Sequence, residues 1–172
     1  MKTIEILMNE HQIICQKLNQ FGKINIENIE SKLNTIEGFI NFFHLYADKY
    51  HHAKEEEILF KWMLEQSPGL EFGPIAVMLS DHNHGRELIN NIKNALDAAN
   101  KGNKDSQQFI VQNISDFVAH LSTHIMKEDT VLYMIANQLN DQVGNGDELM
   151  MPKFETTNQA NISIAKEFGI IP

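Results

Sequence analysis

Residues 36–62 contain the pattern that decides the fold, and they read IEGFINFFHLYADKYHHAKEEEILFKW. Apolar side chains recur in this stretch at steps of three and four residues, which is the spacing of one face of an α-helix. The residues on this face are Ile36, Ile40, Phe43, Ala47, His51, Glu55, Ile58 and Trp62. A histidine and a glutamate therefore occupy positions that are usually apolar in a helix packed against a core. The stretch predicts a long amphipathic helix with a polar interruption.

Three further segments show the same helical periodicity. One begins near Ile4, one begins at Pro74, which is a favoured first helical position, and one begins near Asp105, which is a good N-cap residue. Four amphipathic helices with mostly short connections predict an all-α, antiparallel up-down-up-down four-helix bundle over residues 1–140. Residues 141–172 are polar, and we expect them to form a C-terminal extension with one short helix near Gln159 to Glu167.

The composition excludes several classes of function. Fourteen Lys and Arg residues against 23 Asp and Glu residues give a formal net charge of −9. Such an acidic surface repels nucleic acid and anionic lipid, so we expect neither as a partner. The single cysteine, Cys15, cannot form a disulfide, a thiolate zinc cluster or an iron–sulfur cluster within one chain. We expect a cytoplasmic protein, because no segment is apolar for long enough to span a bilayer. The sequence does not predict an oligomeric state.

Each of the four predicted helices has one histidine on its apolar face, and two of the helices also have a glutamate four residues later. Residues four apart lie on the same face of a helix. Burying a carboxylate without a compensating charge is costly, so two glutamates on core faces require a cation. The predicted metal-binding residues are His11, His51, Glu55, His82, His124 and Glu128.

The types of ligand indicate which metal fits. Imidazoles and carboxylates without a thiolate disfavour a structural zinc site and suit iron or manganese. Two glutamates from different helices can bridge two ions, as they do in helical-bundle proteins with two metals. Metal-bound imidazoles usually donate their second N–H, and Glu10, Asp48 and Asp81 are candidates to accept it.

Four short stretches of this sequence resemble the signature segments of the hemerythrin-like (HHE cation-binding) family. They are residues 9–11, 48–56, 81–86 and 124–129, and they follow the family's order and spacing within residues 1–140. The resemblance implies a four-helix bundle with a non-haem, oxo- or hydroxo-bridged centre of two iron ions. It assigns the ligands to the same six residues, with Glu55 and Glu128 as the bridges.

The sequence departs from the family pattern at Arg86. The oxygen-carrying hemerythrins that this sequence resembles have a second histidine at this place. Arginine cannot replace it as a ligand, because arginine cannot coordinate a metal. His120 and His44 lie near the predicted apolar faces and are candidates to fill the gap. His52 lies about 100° around a regular helix from His51, so we expect it to face solvent or a loop.

These observations predict a protein that binds iron and a small diatomic ligand, dioxygen or nitric oxide, for sensing, storage or delivery. The alternative is an enzyme with two iron ions and oxidase, peroxidase or nitric-oxide-reducing activity. A third interpretation is a metal-free helical interaction module. The sequence alone does not distinguish a carrier from a sensor or an enzyme.

Overall fold

A computed structural model describes residues 1–169, and over that range the chain is helical with no β-strand. The α-helices are α1 (Lys2–Phe21), α2 (Leu33–Phe42), α3 (Phe60–Gln66), α4 (Pro74–Asn100), α5 (Ser106–Lys127), α6 (Tyr133–Val143), α7 (Gly146–Ala160) and α8 (Ile162–Glu167). Short 3₁₀ segments at Ile29–Lys32 and Pro68–Phe72 precede α2 and α4. The predicted all-α fold class is confirmed. Among the described residues, no helix has the combined length and apolarity needed to cross a membrane.

Three π-helical segments interrupt the regular helices. Phe43–His52 and Glu55–Leu59 lie between α2 and α3, and Glu128–Leu132 lies between α5 and α6. The backbone remains helical at the junctions, so residues 33–66 and 106–143 each form one continuous rod. A π-helix bonds residue i to i+5 and has a wider turn than an α-helix, and such segments often occur at functional sites.

The apolar core is divided into two clusters. One contains Ile14, Leu18 and Ile92, and the other contains Leu7 and Met78. Four helical rods run through the structure: α1, residues 33–66, α4 and residues 106–143. On each of them the predicted metal-binding residues lie between the two clusters. Successive rods run from one cluster to the other in alternating directions. This alternation supports the antiparallel order of the helices, which stays a prediction.

The C-terminal extension is more helical than the sequence indicates. The short helix α8 lies within the range predicted for it, whereas the longer helix α7 was not predicted. The reason is tertiary packing: Met150 and Phe154 lie one turn apart on α7 and are buried in the second apolar cluster. The domain boundary at residues 140 and 141 stays a prediction, and residues 170–172 of the extension lie outside the described range.

The extension is attached to the start of the chain. The Asp147 carboxylate accepts hydrogen bonds from the backbone N–H groups of Lys2 and Thr3 at 2.7 and 3.0 Å, and from the Thr3 hydroxyl at 2.8 Å. Gly146 permits the close approach of Met1, because an added Cβ would lie 2.9 Å from the Met1 methyl carbon and 2.9 Å from the Trp62 ring. These contacts join the first turn of α1 to the first turn of α7.

Candidate metal centre

The six predicted metal-binding side chains meet in the interior between the two apolar clusters. All six are buried, with at most 2% of each residue exposed to solvent. They come from four rods of the bundle: α1, residues 33–66, α4, and residues 106–143. The structure thus brings together every residue that the periodicity selected.

Glu55 lies between histidines from two different rods. Its Oε2 atom is 3.6 Å from Nε2 of His51 and 3.4 Å from Nε2 of His82. The three residues are buried, so water does not screen this carboxylate from the two rings.

Glu128 also lies between histidines from different rods. Its Oε2 atom is 3.3 Å from Nε2 of His11 and 3.2 Å from Nε2 of His124, and its Oε1 atom is 3.5 Å from Nε2 of His82. Each glutamate therefore faces imidazoles from more than one rod, which is the placement that a bridging carboxylate requires.

The Nδ1 atom of each of these four histidines faces a carboxylate outside the cluster. The pairs and their Nδ1-to-oxygen distances are His11–Asp129 (2.8 Å), His51–Glu10 (2.9 Å), His82–Glu56 (2.7 Å) and His124–Asp81 (3.5 Å). An N–H donated outward fixes the ring orientation and leaves Nε2 to coordinate a metal. Glu10 fills the role expected from the sequence, whereas Asp129 and Glu56 were not predicted. Asp81 faces His124 but accepts its hydrogen bond from Lys127, and Asp48 accepts one from Arg86.

Several polar atoms at the centre have no hydrogen-bond partner among the described residues. They are Nε2 of His51, His82 and His124, Nδ1 of His52 and His124, Oε2 of Glu55, and both carboxylate oxygens of Glu128. A buried polar atom without a partner destabilises the fold by about 1–3 kcal/mol, and by more when it is charged. These nitrogen and oxygen atoms are donors that iron and manganese accept, so the residues fit a metal.

The acidic and basic groups of the cluster shift one another's pKa values. Burial alone lowers the pKa of His11, but the carboxylates of Asp129 and Glu128 raise it to about 10. Burial likewise opposes the change at Glu55, where the charges of His51 and His82 hold the pKa well below its usual range. The carboxylates thus recruit positive charge, which protons supply when no metal is bound, and metal binding displaces those protons.

The chain matches the Hemerythrin HHE cation binding domain over residues 2–136. It belongs to this family. The match covers all six of the residues described above and ends within α6, before the C-terminal extension. No curated protein and no solved structure shows a significant match to the chain.

His52 is the main correction to the sequence analysis of this HHE domain. The prediction that it faces solvent or a loop is wrong, because only 8% of the residue is exposed and its ring stacks on His82 with centroids 3.8 Å apart. The π-helical turn of Phe43–His52 explains the error, since the predicted angle assumed regular α-helical geometry. The adjacent pair His51 and His52 is the sequence feature that could have indicated a second buried histidine.

With His52 included, the potential ligand atoms fall into two groups. His52, His82 and His124 form one group, and the other contains His11, His51, Glu55 and Glu128. Within each group one atom per residue lies within 4.8 Å of all the others. The two groups adjoin, because Glu55 and Glu128 also approach His82. The arrangement can hold two cations side by side.

The two histidines expected to fill the gap at Arg86 lie elsewhere. His120 uses Nε2 to donate a hydrogen bond of 2.8 Å to the backbone oxygen of Asp81, and the side chain of His44 is 55% exposed. Neither candidate belongs to the two groups of donor atoms. Arg86 instead donates to Asp48 at 2.7 Å and to Glu56 at 2.6 Å, and it thereby supports the carboxylate that holds His82.

Two further residues complete the HHE site. The Tyr133 hydroxyl is buried and lies 2.7 Å from Oε1 of Glu55 and 3.4 Å from Nε2 of His11. The Lys54 ammonium group is fully buried, pairs with Glu10 and lies 3.5 Å from the centre of the Tyr50 ring. Lys54 balances the charge of the carboxylate that orients His51, a role that its place in a run of charged residues does not reveal.

Proposed function

We propose that this HHE protein binds two iron ions and uses them to bind a small diatomic ligand, dioxygen or nitric oxide, for sensing, storage or delivery. The ligands are His11, His51, Glu55, His82, His124 and Glu128, and the two glutamates bridge the ions. The observation behind this proposal is the set of buried, unpartnered nitrogen and oxygen atoms that face one another at the centre of the bundle.

The two adjoining groups of donor atoms favour two ions over one. His52, His82 and His124 supply three imidazoles to one position, while two imidazoles and two carboxylates define the other. His52 thus provides the further imidazole that Arg86 cannot. Iron in such a site supplies a redox-active centre with room for an exogenous ligand.

The surrounding side chains prepare the site for that role. Three carboxylates accept hydrogen bonds from the Nδ1–H groups of three histidines and so hold Nε2 toward the centre. They belong to Asp129, Glu10 and Glu56. Tyr133 donates to one oxygen of Glu55 and leaves the other oxygen for a cation. The apolar clusters on both sides exclude water from the buried charges.

Metal analysis of protein purified from iron-supplemented cells tests this proposal. We expect about two iron ions per chain, as two adjoining donor groups require. Glu55→Ala and Glu128→Ala should each lower the iron content and the thermal stability, because metal binding is coupled to folding. Glu57→Ala is a matched control, since Glu57 lies in the same helical rod with a side chain that is 66% exposed. Unchanged iron content in both site variants would contradict the assignment of the bridges.

The alternative of an enzyme is favoured by one observation, the Tyr133 hydroxyl hydrogen-bonded to Glu55. A buried phenol at this place can hold or deliver a proton beside the proposed iron site. Exposure of the reduced protein to oxygen separates the two functions. An absorption change that reverses when oxygen is removed indicates a binding protein, whereas repeated turnover with consumption of a reductant indicates an enzyme.

A further inference from the structure

A cavity of about 220 Å³ adjoins the proposed metal centre. It lies between the segment Phe43–His52 and helices α4 and α5, and His52 and His82 form part of its wall. These two histidines belong to the group that defines one of the two cation positions. A molecule in the cavity would therefore lie directly against that position.

Part of the cavity lining is apolar. This part consists of Phe43, Ala47, Ile89, Phe117 and Leu121, all of which are buried or partly buried. Burial against such a wall favours the apolar body of a ligand by about 25 cal/mol for each Å² removed from water.

Another part of the lining is polar, and its Arg86 and Lys49 side chains are paired with carboxylates. The Arg86 guanidinium group contacts the carboxylates of Asp48 and Glu56 at 2.7 and 2.6 Å, and the Lys49 ammonium group at the rim lies 3.6 Å from Asp48. Arg86 and Lys49 thus each already have a carboxylate partner. This balance of charge favours a ligand that is neutral.

The volume also limits the size of the ligand. One water molecule takes up about 30 Å³ of the liquid, so the cavity is much larger than a diatomic molecule needs. An apolar cavity of about 150 Å³ is known to admit benzene. The present cavity is larger, yet smaller than the sites of about 300 Å³ and above that hold drug-sized molecules.

We propose that this cavity binds a small neutral organic molecule with an apolar ring or chain and one polar group. The apolar part packs against Phe43, Phe117 and Leu121, and the polar group points toward His52 and His82. The inference rests on the proposed function, because it assigns a ligand to the same metal centre, but the cavity and its lining exist independently of the metal.

Calorimetric titration of the purified protein with phenol, toluene and benzoate tests this inference. The iron content of the same samples is measured in parallel. We expect saturable binding of phenol, weaker binding of toluene, which has no polar group, and no binding of benzoate, which is an anion. Benzoate binding as tight as that of phenol, toluene binding tighter than phenol, or no saturable phenol binding would overturn the proposal.

The variant Gly85→Leu locates the binding site. Gly85 lines the cavity, and a Cβ added there would contact only His120, at an ordinary distance of 3.8 Å, so the first atom of the new side chain has room. We expect it to weaken phenol binding at least about tenfold. Gly38→Leu is the matched control, since Gly38 is an exposed helical glycine with nothing within 4 Å of an added Cβ, and it should bind phenol as the wild type does.

Unchanged phenol affinity in Gly85→Leu would overturn the inference. Thermal unfolding shows whether that variant folds, and Ala47→Leu fills the same cavity from the opposite rod if it does not. Failure of the cavity is distinguishable from failure of the proposed function. If the protein contains iron but does not bind phenol, only the proposed cavity ligand is contradicted. If the protein contains no iron but binds phenol in a Gly85-dependent manner, only the proposed function is contradicted.

Discussion

The Tyr133 hydroxyl donates a hydrogen bond of 2.7 Å to Oε1 of Glu55, while Oε2 of the same carboxylate has no partner among the described residues. The two oxygens of Glu55 thus have different environments. One oxygen is held by the protein, and the other faces His51 and His82. This relationship orients the carboxylate before any metal binds.

Tyr133→Phe should therefore lower stability without abolishing metal binding. The variant removes the one hydrogen bond that the described residues make to Oε1 of a buried carboxylate, and we expect a loss of about 1–3 kcal/mol in the free energy of unfolding. Urea unfolding and iron analysis measure the two effects. Tyr50→Phe is the control, since no hydrogen bond joins the Tyr50 hydroxyl to another described residue. Equal stability of the two variants would show that the bond to Glu55 contributes nothing.

Lys54→Met should destabilise the protein far more than the same change at Lys61. The Lys54 and Glu10 pair is buried, so removal of the ammonium group leaves an uncompensated carboxylate at a cost of about 3–5 kcal/mol. The Lys61 and Glu57 pair is exposed, and such pairs contribute little to stability. Urea unfolding of both variants checks the difference. The double variant Lys54→Met with Glu10→Gln should recover part of the loss, and no recovery would contradict this explanation.

His52→Ala should weaken binding of one of the two proposed metal ions. His52 belongs to the donor group with His82 and His124, so its removal should lower the affinity of that position at least about tenfold. Competition with a chelator, followed by iron analysis, measures the change. His120→Ala should retain both ions, since its Nε2 atom is bound to the Asp81 backbone. The reverse outcome would restore His120 as a ligand and remove His52.

The attachment of the C-terminal extension should weaken in acid. Burial raises the pKa of Asp147, but hydrogen bonds from Thr3 and Lys2 outweigh it and lower the pKa below its ordinary value. A carboxyl group whose pKa is lower in the folded protein stabilises the fold above its ordinary pKa, and this stability disappears as the pH falls through the lowered value. We therefore expect wild type to exceed Asp147→Asn in stability at neutral pH, with the difference shrinking below about pH 4.

Urea unfolding across this pH range provides the measurement for Asp147. Asp141→Asn serves as the control, because Asp141 is exposed and has no hydrogen bond to the start of the chain. A stability difference between wild type and Asp147→Asn that is constant from pH 7 to about pH 3 would contradict the assigned role of the carboxylate.

The helical class and the six central residues were predictable because both depend on a simple periodicity. A histidine on the apolar face of each of the four rods, joined by glutamates at i+4 on two of them, is visible without any structure. The π-helical turns are not visible in this way, since they break the assumed period, and His52 was misplaced for that reason. The outer carboxylates Asp129 and Glu56 lie beside their histidines only after the rods pack together.

The extension shows a different limit of sequence analysis. Residues 146–160 read as polar, and their helix is stabilised by burial of Met150 and Phe154 against distant parts of the chain. Such long-range packing outweighs local propensity. The attachment of Asp147 to Lys2 and Thr3 joins residues more than 140 positions apart, and no local pattern indicates it.

The division of the apolar core into two clusters bears on the dynamics of the metal-free protein. Each end of the bundle has its own hydrophobic interior. The middle instead contains buried histidine and glutamate atoms that have no hydrogen-bond partner among the described residues. Hydrogen exchange in most helical proteins is fastest at the helix ends, where the backbone frays. Here, loss of the cations would make amide protons near His82 and His124 exchange faster than those at either end, so the bundle would open from its centre outward.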